Sequence, residues 1–383
     1  GLAYILGSTV LFRQVSAARA PNLPPRKGIT RMTTTTALTS AVRPHNGAPA
    51  LFIDGRPHTG LMFWHSKMHE AGPDLRLFAA AGVQLITTGF GDVVYRHGAE
   101  ALEYRRVDAQ MAAVLDAHPD ALVLPRVGLN PPAWWAQAYP EEMDRHYDVG
   151  SGDPIHYRVS FSSRPWRWDA AEALRAFVRY CEARYADRIF GYHLCAGDCG
   201  EWAYAWRPVI GEFSPAQVRG FRAWLKEKYG DVDALRAAWG DPDADFATVD
   251  VPYAERLRPV GVYPRPWSLF DPAREMRCID YQRYHSEVVA DAVTHFCGVA
   301  KAELAALGRE KVCGVFYGYH FVNLRIPYAL QGSGHHALEP VLASPDVDFL
   351  CAPLNYQERQ AGGSYLSQLL PGSLRLRGKL FYD

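Results

Sequence analysis

Two carboxylates stand close together near the middle of the chain, in GYHLCAGDCGEW (191–202). They are Asp198 and Glu201, with the indole of Trp202 directly after them. An apolar run leads into them and glycines surround them, so the acids sit where a buried strand gives way to a bend. A third acid, Asp383, follows another short apolar run, KLFY (379–382). Cleaving the acetal link between two sugars needs one carboxyl kept protonated, to give its proton to the departing oxygen. Cleavage with retention needs a second, about 5–5.5 Å from the first, kept ionised to attack the anomeric carbon. Glu201 suits the proton donor, because the apolar ring of Trp202 desolvates its carboxylate and raises its pKa. Asp198 suits either contact with a ligand or the bend itself, where Asp commonly accepts from backbone N–H groups.

Seven apolar runs have the composition of strands buried on both faces: GLMFWH (60–65), VQLITT (83–88), ALVLPRV (121–127), IFGYHLC (189–195), VCGVFYG (312–318), VDFLCAP (347–353) and KLFYD (379–383). Helical stretches alternate with them. Residues 170–186 and 215–229 carry apolar side chains at helical spacing, and Ser214-Pro215 marks the start of the second. A longer helix is expected over 275–307, broken near Cys297-Gly298. This alternation predicts an α/β fold, a (β/α)8 TIM barrel whose eighth strand lies beyond the last run. No G-x-G-x-x-G follows the first strand, which argues against an open dinucleotide-binding sheet.

Barrels of this kind place their chemistry at the C-terminal strand tips. Those tips supply Trp64 and His65 after the first strand, Asn130 and Trp134 after the third, and Asp198, Glu201 and Trp202 after the fourth. The fifth supplies Tyr317 and Tyr319, the sixth Asn355, and the seventh Asp383. Flat apolar rings beside amides and carboxylates match a sugar, which has C–H faces and a hydroxyl edge. The expected partner is therefore a sugar.

Composition narrows the choice further. In 383 residues, 41 basic side chains balance 41 acidic ones, so no net field gathers nucleic acid or an anionic membrane. No stretch of about 20 apolar residues is present to span a bilayer. The seven scattered cysteines form no C-x-x-C pair, and Cys195 and Cys199 read as lining residues. No cofactor is implied. Histidines at 65, 69, 193, 320, 335 and 336 raise the alternative of a metal-dependent barrel, but no His-x-His lies on the first strand. His335-His336, after GSG, reads as a helix cap or surface pair. Residues 1–46, with the Thr-rich TTTTALTS, read as a disordered leader or non-native extension, and 47–383 as the incomplete barrel. The expected location is cytoplasmic, with export the alternative on account of GLAYILGSTVLF.

Three stretches resemble one family. PPAWWAQAYPEE (131–142), FRAWLKEKYGDVDALRAAWG (221–240) and LFIDGRPHTGLMFWHS (51–66) are similar to segments of glycoside hydrolase family 42, the β-galactosidases built on a clan A TIM barrel. The resemblance implies retaining hydrolysis of a β-linked oligosaccharide or glycoside, with the acid/base after strand four and the nucleophile after strand seven. It also implies assembly as a homo-oligomer, a trimer. That family ends strand four with Asn-Glu, whereas CAGDCGEW is longer and lacks the pair. Glu201 is thus assigned by position, and the nucleophile is Asp383 or a Glu just beyond it. The competing reading is a sugar-binding barrel with little or no turnover.

Overall fold

The computed structural model describes residues 36–383, apart from 66, 94, 96–103, 149–150, 157, 207–208, 253–269, 322–331, 354–361 and 364–366. The chain opens with an antiparallel sheet of β1 (Ser40–His45), β2 (Ala48–Ile53) and β3 (Arg56–His58). It then enters a parallel sheet at β4 (Met62–Trp64), and α1 (Gly72–Ala80) leads to β5 (Leu85–Asp92). Next come α2 (Arg105–Ala117), β6 (Leu122–Gly128) and α3 (Ala133–Ala138). Two short strands, β7 (His146–Asp148) and β8 (Pro154–Ile155), precede α4 (Arg164–Tyr185) and β9 (Gly191–Cys195). After β10 (Val209–Gly211) the chain forms α5 (Pro215–Tyr229), α6 (Val232–Trp239) and the long α7 (Pro272–Ala306). It finishes with β11 (Val312–Phe316), α8 (Leu338–Ala343), β12 (Phe349–Cys351), α9 (Pro371–Leu376) and β13 (Leu380–Tyr382).

The seven apolar runs all become strands of one parallel sheet, ordered β13-β12-β11-β9-β6-β5-β4. Each barrel strand lies beside its neighbour in sequence, which is the singly wound order of a TIM barrel rather than the reversing order of a doubly wound sheet. Close packing shows at Gly314, where an added Cβ would stand 2.3 Å from the Phe349 carbonyl oxygen. Among the described residues no helix is long and apolar enough to cross a membrane.

Helix starts follow capping chemistry. Ser163 accepts from the Trp166 N–H, Ser214 from Gln217, and Asp231 from Ala234, each satisfying a donor the helix leaves open. The break expected near Cys297-Gly298 is absent, since α7 runs through both residues and its one irregular position is Glu275. A single helical Gly costs about 1 kcal/mol. Burial of Phe296, Cys297, Val299, Ala300 and Leu304 against the barrel outweighs that cost.

The leader expected over 1–46 also needs correction at its end, because Ser40–His45 is a strand of the folded unit. It pairs with β2 from Ser40↔Ile53 to His45↔Ala48 around Asn46-Gly47, both at positive φ. Asn-Gly is a strong hairpin signal, and here it was hidden by the polar, Thr-rich stretch before it. The hairpin plugs the bottom of the barrel. Leu51 and Ile53 join Leu85, Leu124, Phe190, Val312, Phe349 and Leu380 in one buried cluster. Ser40, itself buried, donates its hydroxyl to the Phe190 carbonyl and accepts from the Val312 N–H at 2.9 Å. Replacing Ser40 with Ala orphans both backbone groups and is expected to cost about 1–3 kcal/mol, read as a lower urea midpoint. An unchanged midpoint would show that the hairpin is not pinned by this hydroxyl.

Candidate active site

The strand β9 ends at Cys195, and the chain then makes a tight excursion and returns. Ala196 and Glu201 form a bridge, and the Trp202 N–H donates to the Ala196 carbonyl at 2.7 Å. Four residues, Gly197 to Gly200, are looped out, so Glu201 is restored to the tip of the strand. Gly197, Cys199, Gly200 and Trp202 all have positive φ. Gly197 has no room for a Cβ, which would stand 2.5 Å from the Ala203 oxygen.

A tryptophan at φ +54° is strained, at a cost of order 1–3 kcal/mol. Its burial explains why the strain is held. Trp202 is fully buried, donates its indole N–H to the Leu194 carbonyl at 2.9 Å, and packs on Phe161 and Phe296. Removing an indole from water hides roughly 150–250 Å², worth several kcal/mol at about 25 cal/mol per Å². The bend is further clamped by Asn130, which accepts from the Gly197 N–H at 3.0 Å and donates to its carbonyl at 3.3 Å. Asp198 accepts from the Trp206 N–H at 2.9 Å, so one of its oxygens shapes the loop.

Burial is the main force on Glu201. It lifts the carboxyl from 4.5 to about 7; the charge of Asp198 adds to the rise, while Trp206 and Arg126 oppose it. A carboxylic acid that keeps its proton near neutral pH can act as a proton donor. Beneath it, His335 is fully buried, not a surface cap as the sequence suggested. Its Nδ1 accepts from the Tyr319 N–H at 3.3 Å, so its Nε2 carries the proton and donates to the Glu201 carbonyl at 2.9 Å. Burial lowers its pKa to about 3, which keeps it neutral.

Beside the bend lies a cleft of ≈ 330 Å³, whose lining includes Trp64, Asp92, Arg106, Arg126, Asn130 and Phe316, with Cys195, Cys199 and Gly200 next to Glu201. Arg126 lies across both the Trp64 and Phe316 rings, 5.0 Å from each centroid. Cys195 and Cys351, both pushed up to about 12 chiefly by burial, report the fields around them. Cys195 feels Arg126, Glu201 and Asp92; Cys351 feels Arg126, Asp383 and Glu201. The tips of β9 and β13 therefore share one electrostatic neighbourhood.

The expected sugar contacts divide into several groups. Trp64 is 49% exposed at the cleft, and His65 is half-buried, accepting from the Lys67 N–H at 3.0 Å. Trp134 is partly buried against the core, with its neighbour Trp135 fully inside. Trp202 and Tyr317 offer no ring to solvent; the Tyr317 hydroxyl donates to the Gly334 carbonyl at 3.1 Å. Tyr319 is buried and stacked on Trp206, and its hydroxyl has no hydrogen-bond partner among the described residues. Asp383 is exposed just past β13, and Asn355 lies outside the described residues. His193 sits deep among Phe316 and Phe349, with burial holding its pKa well below the usual value. Among the described residues no group of three His, Cys, Asp or Glu is placed to hold a metal. Arg126 and His335 were missed as site residues. A charged residue inside the apolar run ALVLPRV was the available signal for the first.

Fold and site together define a (β/α) barrel carrying a partly buried, proton-retaining carboxyl at its strand tips. The sequence model of glycoside hydrolase family 42, described as beta-galactosidase, matches residues 64–304, and the chain belongs to that family. It is 27% identical over 192 residues to a β-galactosidase of Thermus sp. (49% of this chain, 28% of that protein). It is 28% identical over 229 residues to one of Arthrobacter sp. (57% and 29%). The chain thus spans under a third of the length of these curated relatives. The fold is similar to the catalytic domain of a β-amylase from Paenibacillus polymyxa, with TM-score 0.58, 15% identity and 76% of each chain covered. It is also similar to a β-galactosidase from the psychrophilic Marinomonas ef1, with TM-score 0.53, 16% identity, and 76% of this chain and 40% of that one covered.

Holding Glu201 in this setting has a consequence for stability. Its folded pKa of about 7 exceeds the ordinary 4.5, so there is no penalty below about pH 4.5, and stability is lost as pH rises through 7. Glu201→Gln removes the charge without changing the shape. The variant is expected to be more stable than the parent at pH 8 by about 1–3 kcal/mol and equal to it at pH 4, as read from urea midpoints. A gap that does not change with pH would contradict the burial of this carboxyl.

Proposed function

We propose that the protein is a retaining β-glycosidase of β-galactosidase type. Glu201 is the proton donor and later the base. A carboxylate at the tip of β13, Asp383 or a residue directly after it, is the nucleophile. The observation that carries this reading is the pairing of geometry and charge at Glu201. An excursion of four residues returns it to the strand tip, and burial keeps its proton to about pH 7. Family membership supplies the reaction class, and the relatives' name supplies the galactoside.

The steps are those of a retaining hydrolysis. With the sugar in the cleft, Glu201 protonates the glycosidic oxygen while the β13 carboxylate bonds to the anomeric carbon and the aglycone departs. The ionised Glu201 then takes a proton from water, whose oxygen attacks the same carbon and frees the sugar and the nucleophile. Arg126 favours the ionised form of Glu201. Burial opposes that at Glu201 and wins.

Turnover of an aryl β-galactoside tests the proposal. Activity of the parent protein is expected to fall as pH rises through about 7, because the donor form of Glu201 is lost there. Glu201→Gln is expected to lower kcat by about 10²–10⁴-fold while galactose still binds. A protein that binds sugar but shows no turnover before the substitution would instead be a binding barrel.

A further inference from the structure

The cleft is equipped for more than a neutral sugar. Its charged lining consists of Arg106, Arg126 and Asp92, two cations against one carboxylate. Asp92 is already engaged electrostatically, lying in the fields of both Arg106 and Arg158. Arg106 lies against the bare backbone of Gly91, where a Cβ would stand 2.9 Å from its guanidinium nitrogen. Arg126 makes no ion pair among the described residues, and its Nε is buried without a hydrogen-bond partner there.

Two aromatic faces hold Arg126 in place, but a ring quadrupole does not satisfy an N–H. Burying a guanidinium donor with no acceptor is costly, and an acceptor arriving with the ligand removes that cost. Sugar hydroxyls can accept, but they bring no charge to the guanidinium. A carboxylate or sulfate ester both accepts and neutralises, and such charge-assisted bonds are roughly twice as strong. Glu201 cannot do this in the form that donates a proton, because it is then neutral.

Building on the glycosidase reading above, we infer that the substrate is an anionic β-glycoside, carrying a carboxylate or sulfate group that seats against Arg126 with Arg106 reinforcing the field. The half-exposed Trp64 indole gives the sugar ring a face to stack on.

Calorimetric titration of the protein with D-galacturonate, D-galactose 6-sulfate and D-galactose tests this without relying on turnover. At low salt at least one acidic sugar is expected to bind about tenfold or more tightly than galactose, and added salt should erode the advantage. The two acids distinguish a carboxylate from a sulfate. Arg126→Gln is expected to abolish the preference and Arg126→Lys to keep part of it. The inference is overturned if neither acid outcompetes galactose, or if the preference survives Arg126→Gln. Should that variant not fold, the salt-dependent preference of the parent protein and its loss in Arg106→Gln decide the matter. Failure of the hydrolase reading would show separately, as turnover that persists in Glu201→Gln.

Discussion

Much of this site depends on one backbone hydrogen bond, from the Trp202 N–H to the Ala196 carbonyl. Closing it loops out Gly197 to Gly200 and sets Glu201 beside Ala196 at the end of β9. Without that closure the carboxyl would ride on a loop, solvated and ionised at neutral pH. The closure requires unfavourable backbone angles at Cys199 and Trp202. It is held because the indole beneath is anchored in the core, and burial of that size exceeds the strain. The tryptophan that reads in sequence as a platform for sugar is therefore the anchor of the acid instead.

Desolvation and charge compete across the barrel mouth. Desolvation wins at Glu201, where the pKa rises despite Arg126. It wins again at Asp92, which is raised although Arg106 and Arg158 pull it down. The cleft that Asp92 lines also carries the guanidinium groups of Arg106 and Arg126, so cations outnumber carboxylates in its lining.

The strands were legible in sequence because a barrel strand is buried on both sides and so reads as an unbroken apolar run. Their C-terminal tips, and with them Glu201, Trp64 and Asn130, followed directly. Features set by distant contacts were not legible. β1 is short and half exposed, and its pairing with β2 and its contact with Phe190 and Val312 fix it. Gly298 looked like a break in a helix because its burial against the barrel cannot be read from spacing. His335 looked like a surface residue for a similar reason: the rings of Tyr317 and Tyr319 that enclose it lie some sixteen to eighteen positions earlier in the chain.

His335 also shows how the strand tips are tied together. Its imidazole spans from the Tyr319 N–H, just past β11, to the Glu201 carbonyl on the bend after β9. Only the neutral tautomer with its proton on Nε2 serves both contacts, since a protonated ring would turn a donor toward the Tyr319 N–H. Burial enforces that neutrality, with a pKa of about 3, so the link persists across the pH range in which Glu201 titrates. The group that fixes the backbone of the acid is therefore insensitive to the proton the acid exchanges, and Glu201 can change charge without loosening its own support.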